Sequence, residues 1–232
     1  MHKTILSTAV GALLLGLAGT AFAQATTVKV GWVNVDPKSS ATNVVGPFTP
    51  VDTLSTHIKP QSTVFFSIAQ ALDANWEAEF AAGIPPVHEA TLVVNNPAAV
   101  PPSAAAMAGS VISKVRQVAP TLFMNYKFGN SSSAYRPFIG LGVNFTRFDK
   151  AESTSANDMV NGGVTTIKMS DSKGIAAQVG VTAKLSGPWT LTGVWSTAQV
   201  KSTITTNTLG IERTLDVKFN PSVLTLAVGY SF

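Results

Sequence analysis

Large apolar residues recur at every second position over much of the chain, with small or polar residues between them, which is the period of a β-strand with two unlike faces. The last segment is clearest: Leu224, Leu226, Val228, Tyr230 and Phe232 alternate with Thr225, Ala227, Gly229 and Ser231. The same pattern runs through Val118, Pro120, Leu122, Met124, Tyr126 and Phe128, through Ile139, Leu141, Val143 and Phe145, and from Ile175 to Leu185. Less regular stretches at 26–35, 61–71, 75–84, 190–201 and 213–232 bring the set to eight strands. The seventh is weakly patterned, because Thr192, Val194, Ser196, Ala198 and Val200 make a poor lipid face. The eighth changes phase between Phe219 and Leu224, with Pro221 at the change, where a bulge or bend is expected.

The connections alternate in length. Those at 72–74, 129–135 and 186–188 are tight and rich in turn residues, whereas those at 37–60, 85–113 and 150–170 are long. Even strand number, short turns at one end and long loops at the other predict a closed eight-stranded antiparallel transmembrane β-barrel, all-β, with short periplasmic turns and long extracellular loops. A soluble sandwich is the competing architecture, but its solvent face would be polar and its loops would show no such asymmetry.

Composition fits a membrane chain. Only 12% of the 232 residues are charged, 45% are hydrophobic and the mean hydropathy is +0.26. Sixteen Lys and Arg against twelve Asp and Glu leave +4 with no basic run, which argues against a nucleic-acid partner. The one continuous apolar run is N-terminal. His2 and Lys3, the apolar stretch from Ile5 to Leu17 and Ala21-Phe22-Ala23 read as a cleaved signal peptide over 1–23, leaving 24–232 as a single barrel domain exported to a Gram-negative outer membrane. The absence of cysteine excludes a disulfide scaffold and thiolate metal or nucleophile chemistry.

Trp76, Tyr126, Phe128, Trp189, Tyr230 and Phe232 fall near short turns or the C-terminus and predict a periplasmic aromatic girdle, with Trp32 and Phe145 at the opposite interface. By strand parity Lys29, Glu77, Glu79, Lys127 and Lys184 point inward, and opposite charges in so narrow a barrel are expected to pair into a plug. An ion path is the alternative for these charges. No catalytic constellation stands out, and no cofactor or metal is expected; His57 and His88 lie singly in long loops, and a lipid-modifying activity using His88 with a nearby serine ranks third among the readings. The long loops are unusually apolar, with Val44, Val45, Phe48, Val51, Leu54 and Ile58 in one and Leu92, Val93, Val94, Val100, Met107, Val111 and Ile112 in another. They predict either a greasy pocket at the barrel mouth or an upward extension of the wall, and both can hold together.

The chain resembles the OmpW family of small outer-membrane barrels. The likeness rests on Val35-Asp36-Pro37, Glu79-Phe80-Ala81-Ala82-Gly83-Ile84-Pro85, Asn125-Tyr126-Lys127-Phe128-Gly129, the run from Tyr135 to Thr146, and Gln178-Val179-Gly180-Val181. The terminal Val228-Gly229-Tyr230-Ser231-Phe232 is common to many outer-membrane proteins; a strand ending in Phe232 implies delivery by the barrel-assembly machinery. The resemblance implies an apolar upper lumen closed below by polar residues, with apolar solutes leaving sideways into the outer leaflet, and the family includes a relative associated with alkane uptake. It also implies a constriction made by a seventh-strand tryptophan, matched by Trp195, and a third-strand leucine, where this chain has Ala81. Together these readings predict passive passage of small hydrophobic molecules, with Trp195, Ala81 and Phe123 around the solute and outer-membrane lipid as the other partner. The alternative is a structural barrel whose loops serve adhesion or phage and bacteriocin reception.

Overall fold

The computed structural model describes residues 25–38 and 52–232. The proposed signal peptide and the apolar residues Val44, Val45, Phe48 and Val51 lie outside the described residues. Eight antiparallel strands close a ring: β1 (Thr26–Asp36), β3 (Gln61–Ala71), β4 (Trp76–Gly83), β7 (Thr121–Lys127), β8 (Tyr135–Ser153), β10 (Ser172–Lys184), β11 (Trp189–Ala198) and β14 (Ser222–Ser231), which pairs back onto β1. Closure gives each of the eight strands two neighbours, so none is left as an open edge strand in hydrocarbon, where an unpaired backbone group costs several kcal/mol.

Above the ring the wall continues as two sheets. In one, β2 (Leu54–Ile58), β5 (Val87–Val94) and β6 (Val111–Val118) lie beside the upper part of β8; in the other, β9 (Thr165–Met169), β12 (Val200–Thr208) and β13 (Ile211–Phe219) pair together. Parts of the long connections are thus strand, and Leu54, Leu92 and Ile112, expected in apolar loops, lie on the inward face of this extension. Two short helices sit over it, α1 (Pro102–Ala105) and α2 (Ser155–Asn161), the latter started by the Thr154 hydroxyl, which accepts from the Asn157 amide, and ended at Gly162 in the left-handed region, φ 73°. The phase change in the last segment is a break at Asn220 and Pro221 between β13 and β14.

β8 shows why one sequence pattern builds both halves. Ile139, Leu141, Val143 and Phe145 face lipid while Gly140, Gly142, Asn144 and Thr146 face the lumen. One turn of the pleat higher the polarities exchange: Arg147 points out and Phe148 points in. Lys173 lies over the Phe145 ring, 6.0 Å from its centroid, so a cation and an aromatic ring meet at the upper interface. Above that level the apolar side chains form a conventional interior. Leu54, Leu92 and Ile112 make one buried cluster, and Val200, Val217 and Phe219 make a second, which Ile58 and Phe148 join from the opposite sheet.

Candidate functional site

The lumen has three levels. At the bottom, one to three residues above the aromatic ring, Lys29 from β1 bonds Glu79 from β4 at 2.8 Å and stands 3.6 Å from Glu77. Lys127 pairs with Glu77 on its other side. Ser67 donates to Glu79 at 2.7 Å, the Asn125 amide donates to Glu79 at 2.9 Å, and Gln178 donates to the Asn125 carbonyl oxygen at 2.6 Å. Two cations and two anions are therefore balanced and cross-linked from β1, β3, β4, β7 and β10. Lys29, Glu77, Glu79 and Asn125 are each at most 3% exposed, so the barrel is filled here.

Gly140 makes room for this floor. A Cβ there would stand 2.1 Å from Asn125 Oδ1 and 2.9 Å from Gln178 Cγ. Gly140→Ala is expected to force the two amides apart and cost about 1–3 kcal/mol, read as a lower urea midpoint of the barrel refolded in lipid vesicles.

The middle level is a cavity of about 140 Å³ bounded by Lys29 and Glu79 below and by Ala81, Phe123, Asn144, Thr146, Thr192 and Thr225 around it. The upper cavity, about 190 Å³, is lined by Leu54, Ile58, Leu92, Ile112, Phe148, Leu215, Val217 and Phe219. Val35, Gln117, Val200 and Pro221 line both cavities, which meet at that level.

The wall is interrupted beside this junction. The β4–β7 ladder ends at Ala81 and Thr121, and the β5–β6 ladder begins at Val87 and Arg116. Between them the Gln117 amide reaches the Pro86 carbonyl at 3.0 Å, but 82–85 and 118–120 form no ladder with each other. Pro85, Pro86 and Pro120 bring no N–H to this stretch. Several of the remaining backbone groups find partners on the far side of each edge: the Ile84 amide donates to the Val64 carbonyl at 3.0 Å, Thr63 donates to the Ile84 carbonyl at 2.9 Å, and the Phe145 amide donates to the Pro120 carbonyl at 3.0 Å. These bonds and the missing proline N–H groups lower the cost of such a gap in lipid. Phe80, Ile84, Val87 and Leu122 present apolar side chains outside it, and Ala82, Gly83, Pro86 and Ala119 line the cavity behind it. It lies six to ten residues above Trp76, roughly 15–25 Å for tilted strands, in the outer half of a belt about 25 Å tall.

Two expected assignments are corrected. Trp195 is not in the lumen: it is 44% exposed, on the outer face with Leu191, and its indole N–H donates to Ser222 at 2.9 Å. The inward residues of β11 are Thr192, Val194 and Ser196. Trp189 shares the parity of Trp195, so placing one in the girdle forces the other outward. Lys184 is not in the plug. It has inward parity, but as the last residue of β10 it passes below the ring, where its ammonium donates to the Ser131 carbonyl in the β7–β8 connection.

Ala81 and Phe123 line the middle cavity. On the outer face, Trp76, Tyr126 and Phe128 meet edge to face at 5.1 Å spacings, while Trp189, Tyr230 and Phe232 form a second arc at 5.0 and 5.6 Å. Ser67, Asn125 and Gln178 join the floor unforeseen, although their polarity and inward parity marked them. Nothing in the alternation marked the window except its prolines.

Above the membrane, the Arg116 guanidinium grips Asp149 through two bonds of 2.6 Å and holds its carboxyl below the usual range. His88 is buried on the wall of the upper cavity, its Nδ1 3.4 Å from the Lys59 carbonyl and its Nε2 unpartnered. Burial pushes its imidazole below the ordinary value, against contacts with the Lys59 carbonyl and Gln117 that pull it up. A lowered folded value favours folding above the unfolded pKa near 6.5, and that contribution is lost as pH falls through the folded one. The thermal midpoint is therefore expected to drop between pH 7.5 and 5, and to drop less in His88→Phe. Ser113 lines the same cavity and is not bonded to His88 Nε2, which has no partner.

A closed barrel with an apolar belt, aromatic arcs at its turn end and a polar floor is an outer-membrane β-barrel protein. The model of the OmpW family matches residues 25–232, and the chain belongs to that family. It is 32% identical over 121 residues to outer membrane protein W of Vibrio cholerae, covering 52% of this chain and 55% of that one, and 30% identical over 122 residues to outer membrane protein W of Escherichia coli, covering 52% and 56%. The aligned region thus spans about half the length of the curated relatives it matches. Among solved structures, OprG from Pseudomonas aeruginosa superposes with a TM-score of 0.77 at 21% identity, over 90% of this chain and 96% of that one. AlkL in lipid bilayers superposes with a TM-score of 0.66 at 19% identity, over 93% and 92%. Both share the fold.

Proposed function

We propose that the barrel passes small hydrophobic molecules from the medium into the outer leaflet, sideways through the wall. The observation that carries this reading is the coincidence of an apolar upper cavity, a charged floor below it, and a wall opening at the junction between them. A solute entering among Leu54, Leu92, Ile112 and Phe219 gains by leaving water, roughly 25 cal/mol per Å² of apolar surface buried. Going straight down requires parting the Lys29, Glu77 and Glu79 network. Going sideways past Ala82 and Ala119 leads past Phe80 and Leu122 into lipid. The residues that border the way out from the junction, Ala82, Ala119, Phe80 and Leu122, carry no charge, so the solute is not desolvated against an ion as it leaves.

Liposomes carrying the protein should take up an alkane or aromatic probe faster than liposomes carrying an unrelated eight-stranded barrel; equal rates would remove the proposal. Adhesion through the upper sheets is the competing reading. It predicts that trimming the β12–β13 hairpin abolishes contact with cells or phage while solute uptake stays unchanged.

A further inference from the structure

Arg213 does not fit a cavity made only for hydrocarbon. It sits two residues from the tip of β13 and lines the upper cavity on the same face as Leu215, Val217 and Phe219. Its Nε and Nη1 are buried and have no hydrogen-bond partner. Among the described residues it forms no ion pair. The acids nearby in the fold are engaged elsewhere or point away: Glu89 with Lys59 and Lys114, Asp149 with Arg116, Asp158 with Ser153 and the Thr165 amide, Asp216 with Thr203, and Glu212 on the outer face of the same strand. Residues 39–51 contain no Asp or Glu, so no carboxylate comes from them. Two buried, charged N–H donors without acceptors on a cavity wall are costly, and an anionic oxygen is the partner that matches them best.

We propose that the upper cavity binds a single-chain amphiphile with a carboxylate head, of the fatty-acid class, held by Arg213 with its tail pointing down the barrel. This rests on the reading above and narrows its substrate class. From Arg213 to Phe219 the strand offers about 20 Å of apolar wall, long enough for a medium-length acyl chain. A cavity of about 190 Å³ has room for one such chain and not for the several chains of a membrane lipid. The orientation also suits lateral exit. The head sits near the outer end of the cavity and the tail points down toward the junction, so the tail leads when the molecule moves on toward the window.

The test is binding of decanoate, decanol and decane to the full-length barrel in phosphatidylcholine nanodiscs, for the native protein, Arg213→Met and Arg213→Lys. Decanoate is expected to bind the native protein about 10- to 100-fold more tightly than decanol. Arg213→Met should erase that advantage and leave decanol within about twofold, while Arg213→Lys keeps part of it. Heat-modifiable electrophoretic mobility verifies that each variant is folded. If decanoate binds no better than decanol, or if Arg213→Met leaves its affinity unchanged, the carboxylate assignment is wrong while hydrophobic passage stands. If none of the three binds and none enters liposomes, the functional reading itself fails.

Discussion

Glu79→Leu will lower the stability of the barrel by about 3–5 kcal/mol, because it leaves Lys29 and Lys127 to share one carboxylate in a floor that is nearly closed to water. Glu79 accepts from Lys29, Ser67, Asn125 and Gln178, and the other carboxylate paired with Lys29, Glu77, stands further off at 3.6 Å and is shared with Lys127. Leucine is close to glutamate in volume, so the loss is electrostatic rather than a cavity. The four charges sum to zero in the native floor, and the single substitution leaves an excess positive charge. Lys29→Met together with Glu79→Leu restores neutrality with apolar groups of similar size, and should recover most of the loss. Urea unfolding in phosphatidylcholine vesicles, followed by tryptophan fluorescence, measures both. A single variant within 1 kcal/mol of the native protein would mean that water reaches Lys29 and that the floor is not closed.

The floor and the ring were legible in the sequence because both follow from a period of two. Once Leu122 and Met124 face lipid, Phe123, Asn125 and Lys127 must face in, and the same step places Glu77 and Glu79 opposite them. Parity fails where a strand lacks contrast between its faces. On β11, Gly193 is small, and Thr192 and Thr190 are as suited to a lumen as to an interface, so the indole of Trp195 was assigned by resemblance to the wrong side. Parity is also blind to height. Lys184 and Lys127 both point inward, but only Lys127 lies within reach of Glu77, because the tilt of the strands sets the levels and no local pattern encodes tilt. The upper half was hidden for a different reason. Its strands carry apolar residues inward and charges outward, the reverse of the lower half, so a reader keyed to lipid-facing alternation sees apolar loops. The unpaired nitrogens of Arg213 belong to this region, and nothing in the run Ile211-Glu212-Arg213-Thr214 separates a cavity-lining arginine from a solvated one.

A bulky adduct at Ala119 will reduce uptake of an alkane probe at least tenfold, because Ala119 lies on the edge of the wall opening and lines the cavity behind it. The chain has no cysteine, so Ala119→Cys creates a single site for a maleimide carrying a large polar group. Before labelling, the thiol is close to alanine in size and uptake should stay near native. After labelling, the adduct occupies the gap between 82–85 and 118–120 and puts polar atoms where the solute must pass. The Ala119 carbonyl is contacted by the Thr121 hydroxyl at 3.4 Å and the Asn144 amide at 3.5 Å, both from the lumen side, so a side-chain adduct need not disturb those bonds. Ser186→Cys, in the short turn before β11, accepts the same label far from the window and controls for a general effect of modification. An open route through the floor predicts the opposite pattern: the Ala119 adduct would leave uptake unchanged, and Lys29→Met with Glu79→Leu would raise it by removing the charges that close the bottom. Lateral exit predicts that the same double variant leaves alkane uptake near native, since its solutes never reach the floor.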